Sequence, residues 1–395
     1  MPADVFTERT HQGWGGRIGN SIKGVVVGVL LTLAAFPVLF WNEGRAVTTA
    51  RTLAEGAKAT LAISSQTIDA NHEGKLVHLS GAVVSHQTLT DTLFGVSARA
   101  VKLVRHVEMY QWQEKKESKE KRNLGGSSET VTTYTYRTDW SPRLIRSGDF
   151  KQSAQHVNPT SMPVESATLS AAKPTLGAFT LTESLLEKLP AREVLTVTGD
   201  AVKLSAEQAR TWRVADGRFY RGGDPTNPQV GDVRVSYRVA PEGDVSLIAV
   251  QRGSSFTPYV ASTGKTIELL TPGVVSKEQM FATEVRKNTM LTWALRGLGW
   301  VMMMAGLAMV AAPLSVLTDV VPLFGDLARA GTGLVAVAIA TPLTLLTIAV
   351  AWFAYRPMLS AGLIVVGVAA FVMVNRMAGR RAGGEAEAKA QAAIG

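Results

Sequence analysis

The stretch Val101–Trp112, VKLVRHVEMYQW, places His106 two residues from Glu108. Side chains alternate along an extended chain, so such a pair projects from one face about 6–7 Å apart. That is near enough to share a metal or a proton, the work of a general acid–base pair. Nothing else in the chain completes such a site. His11, His72, His78, His86 and His156 show no HExxH or comparable ligand spacing. Glu165 beside Ser166 is the other pair that could serve a hydrolase, yet VES lacks the G-x-S-x-G turn and no triad order can be assembled. There is no cysteine, which excludes disulfides, thiolate metal sites and thiol catalysis. The reading is therefore no catalytic residue, no metal and no cofactor, with His106 and Glu108 as surface and cross-strand contacts.

The elements that position these residues begin with the membrane. The 395 residues are 46% hydrophobic and only 18% charged, and the apolar residues are concentrated. Gly24–Trp41 is long enough to cross a hydrocarbon core of roughly 30 Å and carries no charge. It exceeds the apolar run of a signal peptide and lacks a small-x-small site directly after it, so it reads as an uncleaved anchor. Gly297–Leu317, Ala330–Phe353 and Met358–Val374 read as three further spans, with Thr318–Arg329 and Ala354–Pro357 as tight connections. Trp41, Trp300, Trp352 and Tyr355 sit near span ends, where amphipathic rings favour the headgroup layer.

With four spans both termini share a side. Arg9, Arg17 and Lys23 before the first span and Arg376, Arg380 and Arg381 after the last favour the cytoplasm, against Arg45, Arg51, Arg286, Lys287 and Arg296 opposite. Residues 1–23 are thus expected to be a cytoplasmic segment and 375–395 a mobile tail, low in complexity from Gly384 on. No Asp, Glu, Lys, Arg or His lies inside any span, which disfavours a pump or coupled transporter. Gly24 and Gly28 form one GxxxG, expected from composition alone. The net charge of +9 is scattered, which argues against nucleic acid and fits mild attraction to anionic headgroups.

Residues 42–296 read as one β-rich α+β extramembrane domain. Gly231–Val239 alternates apolar and polar, and Val245–Gly253 is its expected hairpin partner across the turn Pro241–Asp244. Glu73–Val84 is a further strand and Thr182–Leu189 a short helix. Val101–Trp112 and Thr130–Trp140 make a two-stranded ribbon with Tyr110, Trp112, Tyr136 and Trp140 on an aromatic face, while Glu114–Ser128 is expected to be a mobile, solvated tip. Ser276 with Gln279 fits a capping box opening an amphipathic helix, 277–296, that runs on into the second span. The residues singled out for interaction are Glu43 and Arg45 at the membrane exit, His106, Glu108, Tyr110, Trp112, Tyr136 and Trp140 on the ribbon, and Arg286, Trp293 and Arg296 on the helix.

Several motifs carry a resemblance. NEGRA (Asn42–Ala46), EGKLVH (Glu73–His78), AVKLVRHVEMYQW (Ala100–Trp112), YTYRTDW (Tyr134–Trp140), NPTSMPVES (Asn158–Ser166), NPQVGDVRVSY (Asn227–Tyr237), VRKNTMLTWALRGLGW (Val285–Trp300) and LTLLTIAVAWFAYRP (Leu343–Pro357) are similar to the transmembrane protein 43 (LUMA) family, colinear over nearly the whole chain. The resemblance implies a multipass protein of the endoplasmic reticulum and inner nuclear membrane with a lumenal domain, one that self-associates and scaffolds partners such as emerin and lamins, without an established enzymatic site. The lack of cysteine and the Ala/Gly/Val/Arg-rich usage suggest a bacterial member, whose domain would face the periplasm and whose nuclear partners would not carry over. The leading expectation is a non-enzymatic, homo-oligomeric membrane scaffold that binds membrane lipids or membrane proteins. An oligomeric channel-like assembly (for which Pro37, Pro313 and Pro342 are the hint) and a membrane-surface hydrolase are the competing readings.

Overall fold

The computed structural model describes residues 4–198, 204, 206–319 and 322–358. The elements used below are, in chain order, strand β1 (Asp4–Gln12), helix α1 (Trp14–Ala59), strands β2 (Leu76–Val84), β3 (Ala100–Arg122) and β4 (Ser128–Ser141), helix α2 (Glu183–Glu187), strands β5 (Arg218–Arg221), β6 (Val233–Pro241) and β7 (Gly243–Arg252), and helices α3 (Lys277–Thr318) and α4 (Pro322–Tyr355). The described residues fall into two compact units, one within 4–13, 51–123 and 127–286, the other within 14–50, 124–126 and 287–358.

The first unit is built on two sheets. The larger has eight strands, in the order β1–β4–β3–β6–β5 with Arg213–Ala215 at the far edge, and with Glu193–Leu195 on β6 and Ala167–Ser170 on β3. The second has seven and centres on the antiparallel pair β2–β7. Alternation buries Val233, Val235, Tyr237 and Val239 of β6 with Leu103, Val107 and Met109 of β3 in one core, packed on Phe94, Trp212 and Phe219. A separate cluster gathers Val77, Leu79, Leu176, Phe179, Leu185 and Leu247. The expected short helix is present as α2, and it supplies Leu185 and Leu186 to that cluster.

Two expectations about this unit are corrected. β6 and β7 are not a hairpin pair: β6 bonds β3 and β5, whereas β7 bonds β2 in the other sheet. The reason is local. The register shifts between Ala240 and Pro241, and proline has no N–H to extend the ladder, so the chain leaves one sheet there and enters the next at Gly243. The segment 114–128 is not a loose tip either. β3 and β4 stay in register from Met109↔Ser141 to Arg122↔Ser128, leaving a turn of only five residues, 123–127. Thr, Val and Tyr fill β4, and such residues suit a pleated surface even where the facing strand is charged. Residues 4–12, set apart in the sequence within the segment 1–23, extend this ribbon as its edge strand, from Asp4↔Tyr136 to Gln12↔Ser128.

The second unit holds the apolar lengths of α1, α3 and α4. Among the described residues, three helices are long and apolar enough to cross a membrane. The helices are longer than the expected spans: α1 runs from Trp14, not Gly24, and α4 from Pro322, inside the expected connection Thr318–Arg329, while the amphipathic helix runs on into the second span as expected. Caps end a helix, and no breaker intervenes where Arg296 meets Gly297, so polarity changes along α3 without a change of backbone. The expected fourth span, 358–374, and the tail, 375–395, lie outside the described residues apart from Met358. Gly28 of the GxxxG has a use within the chain. A Cβ there would lie 2.6 Å from the Gly306 carbonyl oxygen, so glycine is what lets α1 and α3 approach, whereas Gly24 has nothing within 4 Å.

Candidate functional site

In the second unit, the polar residues that follow the apolar run of α1 meet those that precede the run of α3 and those that end α4. Glu43 is fully buried and accepts a bidentate pair of bonds from Arg296, Nε at 2.6 Å and Nη2 at 2.8 Å. The Trp352 indole N–H donates to the same carboxylate at 2.8 Å. Arg296 lies between two rings, with its guanidinium carbon 4.7 Å from the centroid of Trp293 and 5.8 Å from that of Trp352. Arg45 binds a different set, Asn288 at 2.9 Å, Thr292 at 2.9 Å and Asn42 at 3.1 Å. A planar guanidinium matches a carboxylate fork, which is why Arg rather than Lys suits this place. A similar layer lies at the far end of the same helices, where Asp319, with no exposed side-chain surface, joins Arg17 at 2.5 Å and Arg329 at 2.7 Å. Arg286 falls in the first unit, is exposed and does not join either layer.

In the first unit, the aromatic face of the ribbon forms as the alternation requires. Tyr110 stands opposite Trp140 with ring centroids 5.2 Å apart, and the Thr138 hydroxyl donates to the Tyr110 oxygen at 2.9 Å. Trp112 meets the buried His156 edge-on at 4.6 Å, and Tyr136 stacks on the same imidazole at 3.7 Å. His156 is held between the Asp4 carboxylate and the Gln152 carbonyl, both at 3.0 Å. The Tyr136 hydroxyl donates to Glu114 at 2.7 Å and accepts from the Gln152 N–H. Burial first, and the Glu114 carboxylate second, push the Tyr136 phenol up to about 12. Over this face is an open cavity of about 640 Å³ lined by Tyr110, Trp112, Tyr136, Thr138, Asp4 and the loop 227–230.

His106 and Glu108 are on this ribbon but not in that cavity. Glu108 is bound by Arg234 at 2.7 Å, and that guanidinium covers the Trp140 ring at 4.4 Å. His106 is 3.9 Å from Glu108 with its side chain 40% exposed. The carboxylate is thus engaged by a structural cation on the neighbouring strand, where the register sets Glu108 opposite Arg234. Among the described residues, no group of three or more His, Asp or Glu could hold a metal.

Sequence reading did not anticipate the triad of Asp91, Arg105 and Tyr237. Asp91 takes two bonds from Arg105, both at 2.8 Å, and one from the Tyr237 hydroxyl at 2.6 Å. Burial, then Asp91, raise the Tyr237 phenol, as burial and Asp232 raise that of Tyr220. Trp352 was placed at a span end, but its bond to Glu43 depends on the packing of α4 and could not be read from spacing.

The family model of transmembrane protein 43 matches residues 109–357. The chain is 37% identical over 344 residues to transmembrane protein 43 of Mus musculus, covering 84% of each. It is 38% identical over 341 residues to that of Homo sapiens, again covering 84% of each, and 31% identical over 310 residues to the homolog of Drosophila melanogaster, covering 76% of this chain and 80% of the relative. No solved structure matches it. The match takes in the aromatic ribbon, α3 and α4, and with three apolar helices the chain is an integral membrane protein that belongs to the transmembrane protein 43 family.

Proposed function

We propose that this protein is a non-enzymatic, self-associating membrane scaffold whose β-rich domain, with the N-terminal strand β1 as its edge, engages partner proteins or headgroups. The observation that carries the reading is the long ribbon of β1, β4 and β3. Beyond Met109, β3 pairs with β4 but no longer with β6, and Tyr110–Arg122 prolong it by about 40 Å at 3.3 Å per residue. Alternation sends Arg9, Lys115, Lys119 and Lys121 to one exposed face with Glu117 and Glu129 among them. Lysines and alternating charges on such a face discourage indiscriminate edge pairing and leave selective contacts by charge complementarity. The carboxylates of the buried Asp91 and the partly buried Glu108 are engaged by structural partners, which supports a binding rather than a chemical role.

The test is the native mass of the nanodisc-reconstituted protein, alone and with Lys115, Lys119 and Lys121 each changed to Glu. A defined oligomer or a retained partner, diminished by the charge reversal, is the expected result. A monomer at every concentration with nothing retained would sink the proposal.

A further inference from the structure

We infer that the cavity over the aromatic ribbon face binds a neutral carbohydrate, a mono- to disaccharide unit, stacked on Tyr110 and Trp112. Its volume of about 640 Å³ lies within the range of pockets that enclose small molecules. Tyr110 and Trp112 are two apart on β3, so their rings project side by side from one face and make a platform rather than a box. A platform of aromatic faces accepts the apolar C–H face of a pyranose, while a cation is better held by rings that surround it.

The polar groups point to the same class. Thr138 lies on the floor, and the Asn227 and Gln229 amides stand on the loop above it, each able to donate and accept as hydroxyl groups require. Asn227 is exposed, and its side chain makes no hydrogen bond to another described residue. The Trp112 indole N–H is likewise without a partner among the described residues. The Asp4 carboxylate is taken by His156, and the Arg137 guanidinium bonds Gln113, which alternation sets on the face opposite Trp112, so neither an anion nor a cation finds a dedicated partner in the cavity.

The site is also pre-formed. Trp112 is braced by His156, whose ring is clamped by Asp4, Gln152 and Tyr136, and the Tyr110 hydroxyl is fixed by Thr138. Rigid aromatic anchors cost little conformational entropy on binding. This inference does not depend on the scaffold reading, since a glycan could be a partner's decoration or a free ligand.

The test uses the full chain in nanodiscs, with no maltoside or other sugar detergent present. Saturation-transfer difference NMR is recorded with the methyl β-glycosides of glucose, galactose, mannose and N-acetylglucosamine as probes. The expected result is saturation of the ring C–H protons of at least one probe, with affinity lowered at least tenfold by Trp112→Ala and by Asn227→Ala. Asn227→Ala guards against misfolding, because that side chain is exposed and unbonded, and Trp112→Phe, which preserves the contact with His156, should weaken binding less than Trp112→Ala. No transfer to any of the four probes would overturn the inference. So would transfer unaffected by Asn227→Ala, or full displacement by phosphocholine, which would mark a quaternary-ammonium site.

Discussion

Glu43 and Arg296 offer the sharpest energetic test, because each is buried or nearly so and each is the other's principal partner. Glu43 receives three hydrogen bonds, and Arg296 is only 15% exposed in its side chain. Changing Glu43 to Ala strands the guanidinium, and changing Arg296 to Met strands the carboxylate. Breaking a buried pair in this way costs about 3–5 kcal/mol. Arg296 keeps two aromatic neighbours that partly stabilise it when unpaired, so about 3 kcal/mol is expected for Glu43→Ala, and somewhat more for Arg296→Met, which leaves a buried carboxylate with one neutral donor. Removing both eliminates the orphan, so the double variant should be more stable than the sum of its parents by about 2–3 kcal/mol. Trp352→Phe, which removes one neutral donor, should cost about 1 kcal/mol. The assay is reversible unfolding of the purified protein in mixed micelles against rising SDS, followed by circular dichroism. If the two substitutions are additive to within about 0.5 kcal/mol, the ion pair does not hold the helices together and the reasoning fails.

Gly28→Ala places a Cβ 2.6 Å from a backbone oxygen and should destabilise by about 1–3 kcal/mol, whereas Gly24→Ala, with open space around it, should be neutral in the same unfolding assay. The Tyr136 phenol, held near 12 against an ordinary value of 10.0, keeps its proton in the folded state after the unfolded chain has lost it. Stability should therefore fall with rising pH between those values by roughly 1.4 kcal/mol per unit, and Tyr136→Phe should flatten that slope in melts recorded at successive pH values. Asp91→Ala leaves Arg105 and Tyr237 without their acceptor inside the sheet and should cost about 3 kcal/mol or prevent folding, read by the chemical denaturation midpoint. His106→Ala, at a side chain that is 40% exposed, should change stability by less than about 0.5 kcal/mol.

How much of this was legible depended on whether the determining interaction was local. The alternation of Val233, Val235, Tyr237 and Val239 is a property of successive residues, and the strand it implies is present as β6. The face shared by Tyr110, Trp112, Tyr136 and Trp140 follows from the same rule applied to two strands. The partner of β6, by contrast, is β3, more than a hundred residues earlier, and the adjacent β7 was the natural but mistaken choice. Local turn chemistry at Pro241–Asp244 suggested a hairpin, and the missing N–H of Pro241 decided otherwise. The ladder through 114–122 is hidden from the sequence for a related reason. The segment's composition says solvent, and it is largely solvent-exposed, but composition does not reveal that β4 and β1 supply a backbone ladder beside it.

The membrane unit shows how the absence of charge within the spans and the presence of buried charge at their ends are one design. Arg17 to Glu43 covers about 39 Å of α1 at 1.5 Å per residue, and Arg296 to Asp319 and Arg329 to Trp352 each cover about 35 Å. These lengths exceed the roughly 30 Å hydrocarbon core and fall just short of the 40–45 Å that includes headgroups. Both polar layers therefore fit the interfacial zones, where a paired charge costs far less than at the bilayer centre. The apolar stretch gives the helices no hydrophobic reason to choose one another, since lipid serves them equally well. Register must come from contacts that lipid cannot replace. The Glu43–Arg296–Trp352 and Arg17–Asp319–Arg329 layers fix the helices at their two ends, and the close approach at Gly28 and Gly306 fixes them between. Sliding one helix by a single turn would uncouple both ion-pair layers at once, which is why so few polar residues are enough to set the register.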